Sequence, residues 1–276
     1  MSNYSLVVFD IAGTTVRDKG NIAEAFIDAF KQFGISVPIE EVNKVMGWRK
    51  KDAIVLLLGK FQGKADIQSE ELVEEIHTAF IQNMISFYEN DEDLQPLDYA
   101  EELFQQLRAN NIKVALNTGF TKDITDVILR KLNWKEGQMI DFAVCSDEVP
   151  EGRPYPYMIQ ELMKRSEIID AKQVVKVGDT EVDVQEGRNA DCGLVIGITT
   201  RAYSKELLEQ YQPDEIIDHL SNCLHSCYES YTEKYISQAC IKTAGDNIVC
   251  STGCILNLFF GVWIPQAIYS CNVSGY

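Results

Sequence analysis

Residues 6–16, LVVFDIAGTTV, decide the fold. Four apolar residues without polar alternation, Leu6 to Phe9, describe a strand buried on both faces rather than one half exposed to water. Asp10 then stands at the strand tip, followed by the turn-forming Gly13, Thr14 and Thr15. Runs of the same kind recur at Val114 to Leu116, Phe142 to Val144, Val174 to Val177 and Leu194 to Ile198. Between most of them lie helical periods. Leu103, Phe104 and Leu107 mark one apolar face, Ile124, Val127 and Ile128 a second, and Ile159, Leu162 and Met163 a third. Unbroken apolar strands alternating with amphipathic helices predict a doubly wound, Rossmann-like α/β core around a parallel sheet.

The stretch from about Arg17 to Asp93 carries no strand pattern. Ala25, Phe26, Ala29 and Phe30 share one helical face, and Val73, Ile76, Phe80, Met84 and Phe87 another, with Ser69 a fitting N-cap before Glu70 and Glu71. The expectation is an α/β core at 1–16 and 94–223, a helical cap inserted at 17–93, and a separate extension at 224–276. In an open α/β sheet the ligand lies beyond the carboxyl ends of the strands, so an insert leaving the first strand there overhangs the site.

The 276 residues carry 25 basic and 42 acidic side chains, a formal charge of -17. Such a surface repels phosphate, which argues against nucleic-acid and anionic-membrane partners and confines any phosphate site to a small positive pocket. No signal-peptide pattern opens the chain, and the apolar stretch from Cys254 to Ile264 is too short to span a membrane, so the expected location is the cytoplasm. Five of the eight cysteines, Cys227, Cys240, Cys250, Cys254 and Cys271, fall after residue 223, where charges become sparse. The Cys250 and Cys254 spacing could suit zinc, but an appended tail is the simpler reading.

The strand tips carry chemistry. Asp10 ends the first, Thr118 and Gly119 the second, Arg153 follows the third, and Asp179 and Asp183 follow the fourth. Carboxylates at Asp10 and Asp179 suit a hard cation, Mg²⁺ foremost. Arg153 and the cation would neutralise a phosphoryl group, with Thr118 and backbone N–H groups around Gly13 and Gly119 bonding its oxygens. Asp10 is then placed to attack phosphorus. Taken singly, each of these residues could be a helix cap or a turn. Trp48, Tyr155 and Tyr157 could line the pocket, although packing is the more ordinary use of such rings.

The strings FDIAGTTV, LNTGFT, EGRPYPYM and KVGDTEVDVQEGRNA resemble the four motifs of the haloacid dehalogenase superfamily, and in particular its phosphonatase branch, over about residues 4 to 220. The resemblance implies that Asp10 is the nucleophile and a metal ligand, that Ala12 offers its carbonyl to Mg²⁺, and that Asp179 is a further ligand. It assigns the phosphoryl group to Thr118 and Arg153, a supporting role to Asp183, and a homodimer to the cap. In the cap, VMGWRKKDAI is similar to the segment M-G-x-x-K-x-D-H, on which Met46, Gly47, Lys50 and Asp52 fall. That makes Lys50 the Schiff-base candidate and brings Met46 and Gly47, with Gly13, Thr14, Gly119 and Arg153, to the substrate. The chain departs from the pattern at Ala53, Phe120 and Asn21, where the family has His, Tyr and Cys.

Ala12 bears on the reaction. Most phosphatases of this superfamily carry a second Asp two residues after the nucleophile to protonate a departing alkoxide, and Ala12 has no proton to give. A carbon leaving group needs an electron sink instead, which a lysine imine supplies. The first expectation is therefore cleavage of the carbon–phosphorus bond of a small phosphonate such as phosphonoacetaldehyde. The alternatives are a phosphatase of a small phosphate monoester, of the phosphoglycolate phosphatase kind, and a weakly catalytic protein that binds phosphometabolites.

Overall fold

The computed structural model describes residues 4–61, 70–200 and 203–228, together with strands at 240–244, 247–250 and 255–256. The first strand, β1 (Leu6–Asp10), is followed by four helices, α1 (Asn21–Gln32), α2 (Ile39–Asn43), α3 (Lys50–Phe61) and α4 (Glu70–Asn90). Strands and helices then alternate: α5 (Ala100–Ala109), β2 (Lys113–Thr118), α6 (Lys122–Lys131), β3 (Phe142–Cys145), α7 (Tyr157–Arg165), β4 (Val174–Gly178), α8 (Glu181–Asn189), β5 (Leu194–Ile198), α9 (Lys205–Glu209) and β6 (Glu215–Ile217). The six strands form one sheet in the order β3-β2-β1-β4-β5-β6, every pairing parallel. This is the doubly wound, Rossmann-like α/β fold. Its topological switch lies between β1 and β4, where the strand order runs outward in both directions.

All five residues of β1, β4 and β5 are buried, as unbroken apolar runs require. One face of the sheet presents Val7, Phe9, Leu116 and Val177 to the cluster that contains α5 and α6, whereas Leu6, Val8, Ala115 and Val174 meet α7 and α8 on the other. Phe26 of α1 and Phe80 of α4 lie 4.5 Å apart between ring centroids and hold the inserted helices together. The helical faces read from the sequence are the buried ones, except that Phe87 and Met163 are only partly covered. Ser69, the expected cap of α4, lies outside the described residues.

Residues fall into two units, Met1–Cys227 and Tyr228–Tyr276. The second holds a three-stranded antiparallel sheet of β7 (Cys240–Ala244), β8 (Asn247–Cys250) and β9 (Ile255–Leu256). Cys250 falls in β8, and Cys254 lies outside the described residues. Among the described residues no helix is long and apolar enough to cross a membrane.

Candidate active site

Parallel register brings polar side chains together at the switch point. Val8 pairs with Ala115 and Lys176, and Asp10 pairs with Asn117. Alternate residues of a strand share a face, so Asp10, Asn117 and Lys176 stand on the same side of the sheet, above Val8 and Ala115. Asp179 follows β4 directly. Asp10, Asp179 and Asp183 each place a carboxylate oxygen within 4.8 Å of the others, all buried. Burial pushes the Asp10 and Asp179 carboxyls up, Asp179 well above the ordinary range, with Asp10 and Asp183 adding their repulsion to it. Asp183 goes the other way: burial opposes its charge, but Arg153 and Lys176 outweigh burial and hold it low.

Beneath the carboxylates lies a dry ionic layer. Arg153, 2% exposed, donates to Asp10 Oδ1 at 2.7 Å, to Glu186 Oε2 at 3.1 Å and to both oxygens of Asn117 at 2.7 Å. Lys176 Nζ donates to Asn117 Oδ1 at 2.7 Å and pairs with Asp183 Oδ1 at 2.9 Å and Glu186 Oε2 at 3.2 Å. Arg153 Nη1 lies 3.0 Å from the same Asp183 oxygen, an ion pair without hydrogen-bond alignment. Asn117 Nδ2 donates to Glu186 at 2.9 Å. The oxygen donors and the mutual repulsion of Asp10, Asp179 and Asp183 fit a hard cation such as Mg²⁺.

The loop after β1 is built around Asp179. Gly13 has φ +89, and a Cβ there would come within 2.4 Å of Asp179 Oδ2, so a side chain is excluded twice over. Thr14 Oγ1 donates to Asp179 Oδ1 at 3.3 Å, and Thr15 Oγ1 to the Asp10 carbonyl at 3.0 Å. Thr180 caps α8, with the Asp183 side chain accepting from the Thr180 N–H at 3.2 Å in a capping box.

The cleft above the cluster is small, about 40 Å³. From the sheet side it is lined by Asp10, Ala12, Phe120, Asp179 and Thr180, and from the insert side by Asp18, Ile22, Met46, Gly47 and Lys50. Lys50 opens α3 and is only 3% exposed, its Nζ 5.2 Å from the Phe120 ring centroid and 5.6 Å from that of Phe26. Burial pushes its ammonium down to about 8, against the opposing pull of Asp10. The loop carrying Met46 to Arg49 sits against the core without room for side chains: a Cβ on Gly119 would meet the Trp48 carbonyl at 2.5 Å, and one on Gly47 would meet Thr180 Oγ1 at 2.6 Å.

The structure thus gathers Asp10, Ala12, Met46, Gly47, Lys50 and Asp179 around one cleft. Other expected positions have different partners. The Gly13 N–H is taken by the Val16 carbonyl at 2.8 Å because the loop closes a tight turn, and the Thr14 hydroxyl is spent on Asp179. Thr118 Oγ1 accepts from the Phe120 N–H at 3.2 Å. Arg153, expected to reach a phosphoryl group, has its donors turned to protein acceptors. Tyr155 is 48% exposed and stacks on Tyr157 with centroids 6.1 Å apart, whereas Trp48 packs against the core. Asn117, Lys176, Glu186 and Asp18 were missed from the sequence, although a lysine inside VVKVG was a signal.

Mutually repelling buried carboxylates at the switch point of a parallel sheet, under a cleft with a depressed lysine, mark an enzyme of the doubly wound α/β class. The chain belongs to the haloacid dehalogenase-like hydrolases, whose family model matches residues 4–191. Phosphonoacetaldehyde hydrolases of Bacillus cereus and Bacillus anthracis are each 32% identical to it over 229 residues, covering 76% of this chain and 83% of theirs. A solved hydrolase from Pseudomonas syringae shares the fold with a TM-score of 0.71 at 18% identity, covering 82% of this chain and 98% of its own. A phosphonoacetaldehyde hydrolase-like protein from Oleispira antarctica does so with a TM-score of 0.68 at 22% identity, covering 84% and 94%.

Proposed function

We propose that this hydrolase is Mg²⁺-dependent and cleaves the carbon–phosphorus bond of a small phosphonate such as phosphonoacetaldehyde, with Asp10 as nucleophile and Lys50 as Schiff-base lysine. The observation that carries the reading is a buried lysine, pushed down to about 8, in the same cleft as Asp10 and Asp179. A phosphatase would use this amine only as a charge that binds substrate, which burial works against, whereas an imine needs it neutral. The names of the 32%-identical relatives support the same substrate class.

Lys50 condenses with the substrate aldehyde to give an iminium. Asp10 attacks phosphorus, an O–P bond forms, and the C–P bonding pair passes through carbon to the iminium nitrogen, leaving an enamine. Protonation at carbon and hydrolysis release acetaldehyde from Lys50, and water releases phosphate from the Asp10 acyl phosphate. Asp10, Asp179 and the Ala12 carbonyl would hold Mg²⁺, which supplies positive charge to the phosphoryl oxygens when bound. Arg153 fixes the Asp10 carboxylate through Oδ1, and Asp183 anchors the Asp179 loop through the cap of α8. Thr118 and Gly119, just past the Asn117 that pairs with Asp10, would bond the phosphoryl oxygens, and Met46 and Gly47, which line the cleft, would close over the aldehyde. Ala12 suits this route, because the departing electrons go to nitrogen and no alkoxide waits for a proton.

Phosphate release from phosphonoacetaldehyde and from a panel of small phosphate monoesters tests the reading. With Mg²⁺ the wild type turns over the phosphonate, Lys50→Ala loses that turnover, and Asp10→Asn loses all activity. Preferential monoester turnover that ignores Lys50 would make this a phosphatase instead.

A further inference from the structure

The imine route needs a group that moves protons at Lys50, and the family's His, Tyr and Cys positions hold Ala53, Phe120 and Asn21. Ala53 is wholly buried in the hydrophobic core, and Phe120 offers Lys50 only a ring face. Among the described residues lining the cleft, four side chains are titratable: Asp10, Asp18, Lys50 and Asp179. Asp10 and Asp179 belong to the three-carboxylate cluster, whereas Asp18 stands outside it. Its carboxylate is held in place, since Oδ1 accepts the Gly20 N–H at 2.9 Å in a turn that leads into α1. Its charge also acts on Lys50, favouring the ammonium against burial. Tyr88, behind Phe120, is buried and pushed up, so its phenol cannot accept a proton.

We propose that Asp18 is the proton-transfer group of the Schiff-base half of the reaction, standing in for the polar residues this chain lacks. The inference rests on the phosphonatase reading of the same site. Asp18 takes one proton from the Lys50 ammonium, and the free amine adds to the aldehyde carbon, forming C–N as the C=O π bond opens. A second nitrogen proton passes to the new alkoxide, giving the neutral carbinolamine. Asp18 then returns its proton to the hydroxyl, which leaves as water with its bonding pair while the nitrogen lone pair forms C=N. The third nitrogen proton stays on the iminium, and the regenerated Asp18 carboxylate stabilises that cation while it accepts the C–P electrons. No outside oxidant or co-reactant is required.

The test compares Asp18→Asn, Asp18→Glu and Lys50→Ala with the wild type on phosphonoacetaldehyde and on p-nitrophenyl phosphate, whose phenolate leaves without an imine. Asn keeps the oxygen that accepts from Gly20, so the turn survives. Asp18→Asn is expected to slow phosphonate turnover and borohydride trapping of the substrate by about 10²–10⁴-fold. The phosphonate-to-ester rate ratio falls by at least about tenfold, and Asp18→Glu recovers part of it. A parallel fall in both activities, or phosphonate turnover within about twofold of wild type, overturns the role of Asp18. If Lys50→Ala is dead on the phosphonate while Asp18→Asn is not, Asp18 alone is excluded. If Lys50→Ala is as active as wild type, the underlying reading falls and Asp18 falls with it.

Discussion

Asp179 has lost its water without gaining a full counter-charge, because Arg153 and Lys176 are directed at Asp10, Asp183 and Glu186. Its folded-state pKa lies above the unfolded one, so the stability it brings is complete below the ordinary carboxylate value near 3.8 and is lost as pH rises through the folded value. At neutral pH the metal-free protein carries that penalty. Asp179→Asn, which keeps the oxygen that Thr14 bonds, should melt at or above the wild-type temperature at pH 7 without metal, the gap closing toward pH 4. Mg²⁺ should raise the wild-type Tm by several degrees, about 2.7 kcal/mol at a hundredfold excess over Kd, and leave the variant unmoved. Calorimetry on both proteins with and without Mg²⁺ checks this, and a variant less stable than wild type at pH 7 contradicts it. At this scale the sequence made Asp10, Lys50 and Asp179 legible, because each sits in a short motif. Asn117 and Lys176 were not legible, because only the register of β2, β1 and β4 brings them to the side of the sheet that carries Asp10, and Glu186 was not, because it arrives from α8 packed on β4. Asp18 was hidden for a similar reason: its place in the cleft comes from the turn into α1, not from a spacing.

The elements reach the site through backbone contacts that leave no space for a methyl group. Gly119, after β2, faces the Trp48 and Gly47 carbonyls of the loop before α3, atoms that cannot swing aside as a side-chain tip could. Gly119→Ala should therefore displace the loop that delivers Lys50. Because misplacement by about 1 Å can cost about 10²-fold, kcat/KM should fall by that order while the circular dichroism spectrum is kept. Steady-state kinetics on the folded variant decide the matter, and unaltered kcat/KM would show that the loop is not held as described. The five apolar runs read from the sequence match β1 to β5, and α1 to α4 follow β1 in the chain. The sixth strand escaped notice for a physical reason. β6 is a three-residue edge strand that begins with Glu215, too short for a buried run and too irregular for alternation. In the tail, low charge and weak periodicity concealed three short antiparallel strands.

Across the whole molecule, a formal charge of -17 accompanies a site proposed to receive an anion. The positive charge is therefore local and buried: Arg153 and Lys176 under the carboxylates and Lys50 in the cleft. The composition change after residue 223 nearly coincides with the unit boundary after Cys227, and the small difference arises because Cys223 and Cys227 are both fully buried in the hydrophobic core. In the proposed reaction Lys50 becomes covalently joined to a carbonyl substrate. Borohydride reduction of the enzyme with phosphonoacetaldehyde, followed by peptide mass mapping, tests it directly. A reduced two-carbon adduct is expected on Lys50, absent in Lys50→Ala and formed only when substrate is present. Full phosphonate turnover with no adduct on Lys50, or an adduct on another lysine, would contradict it.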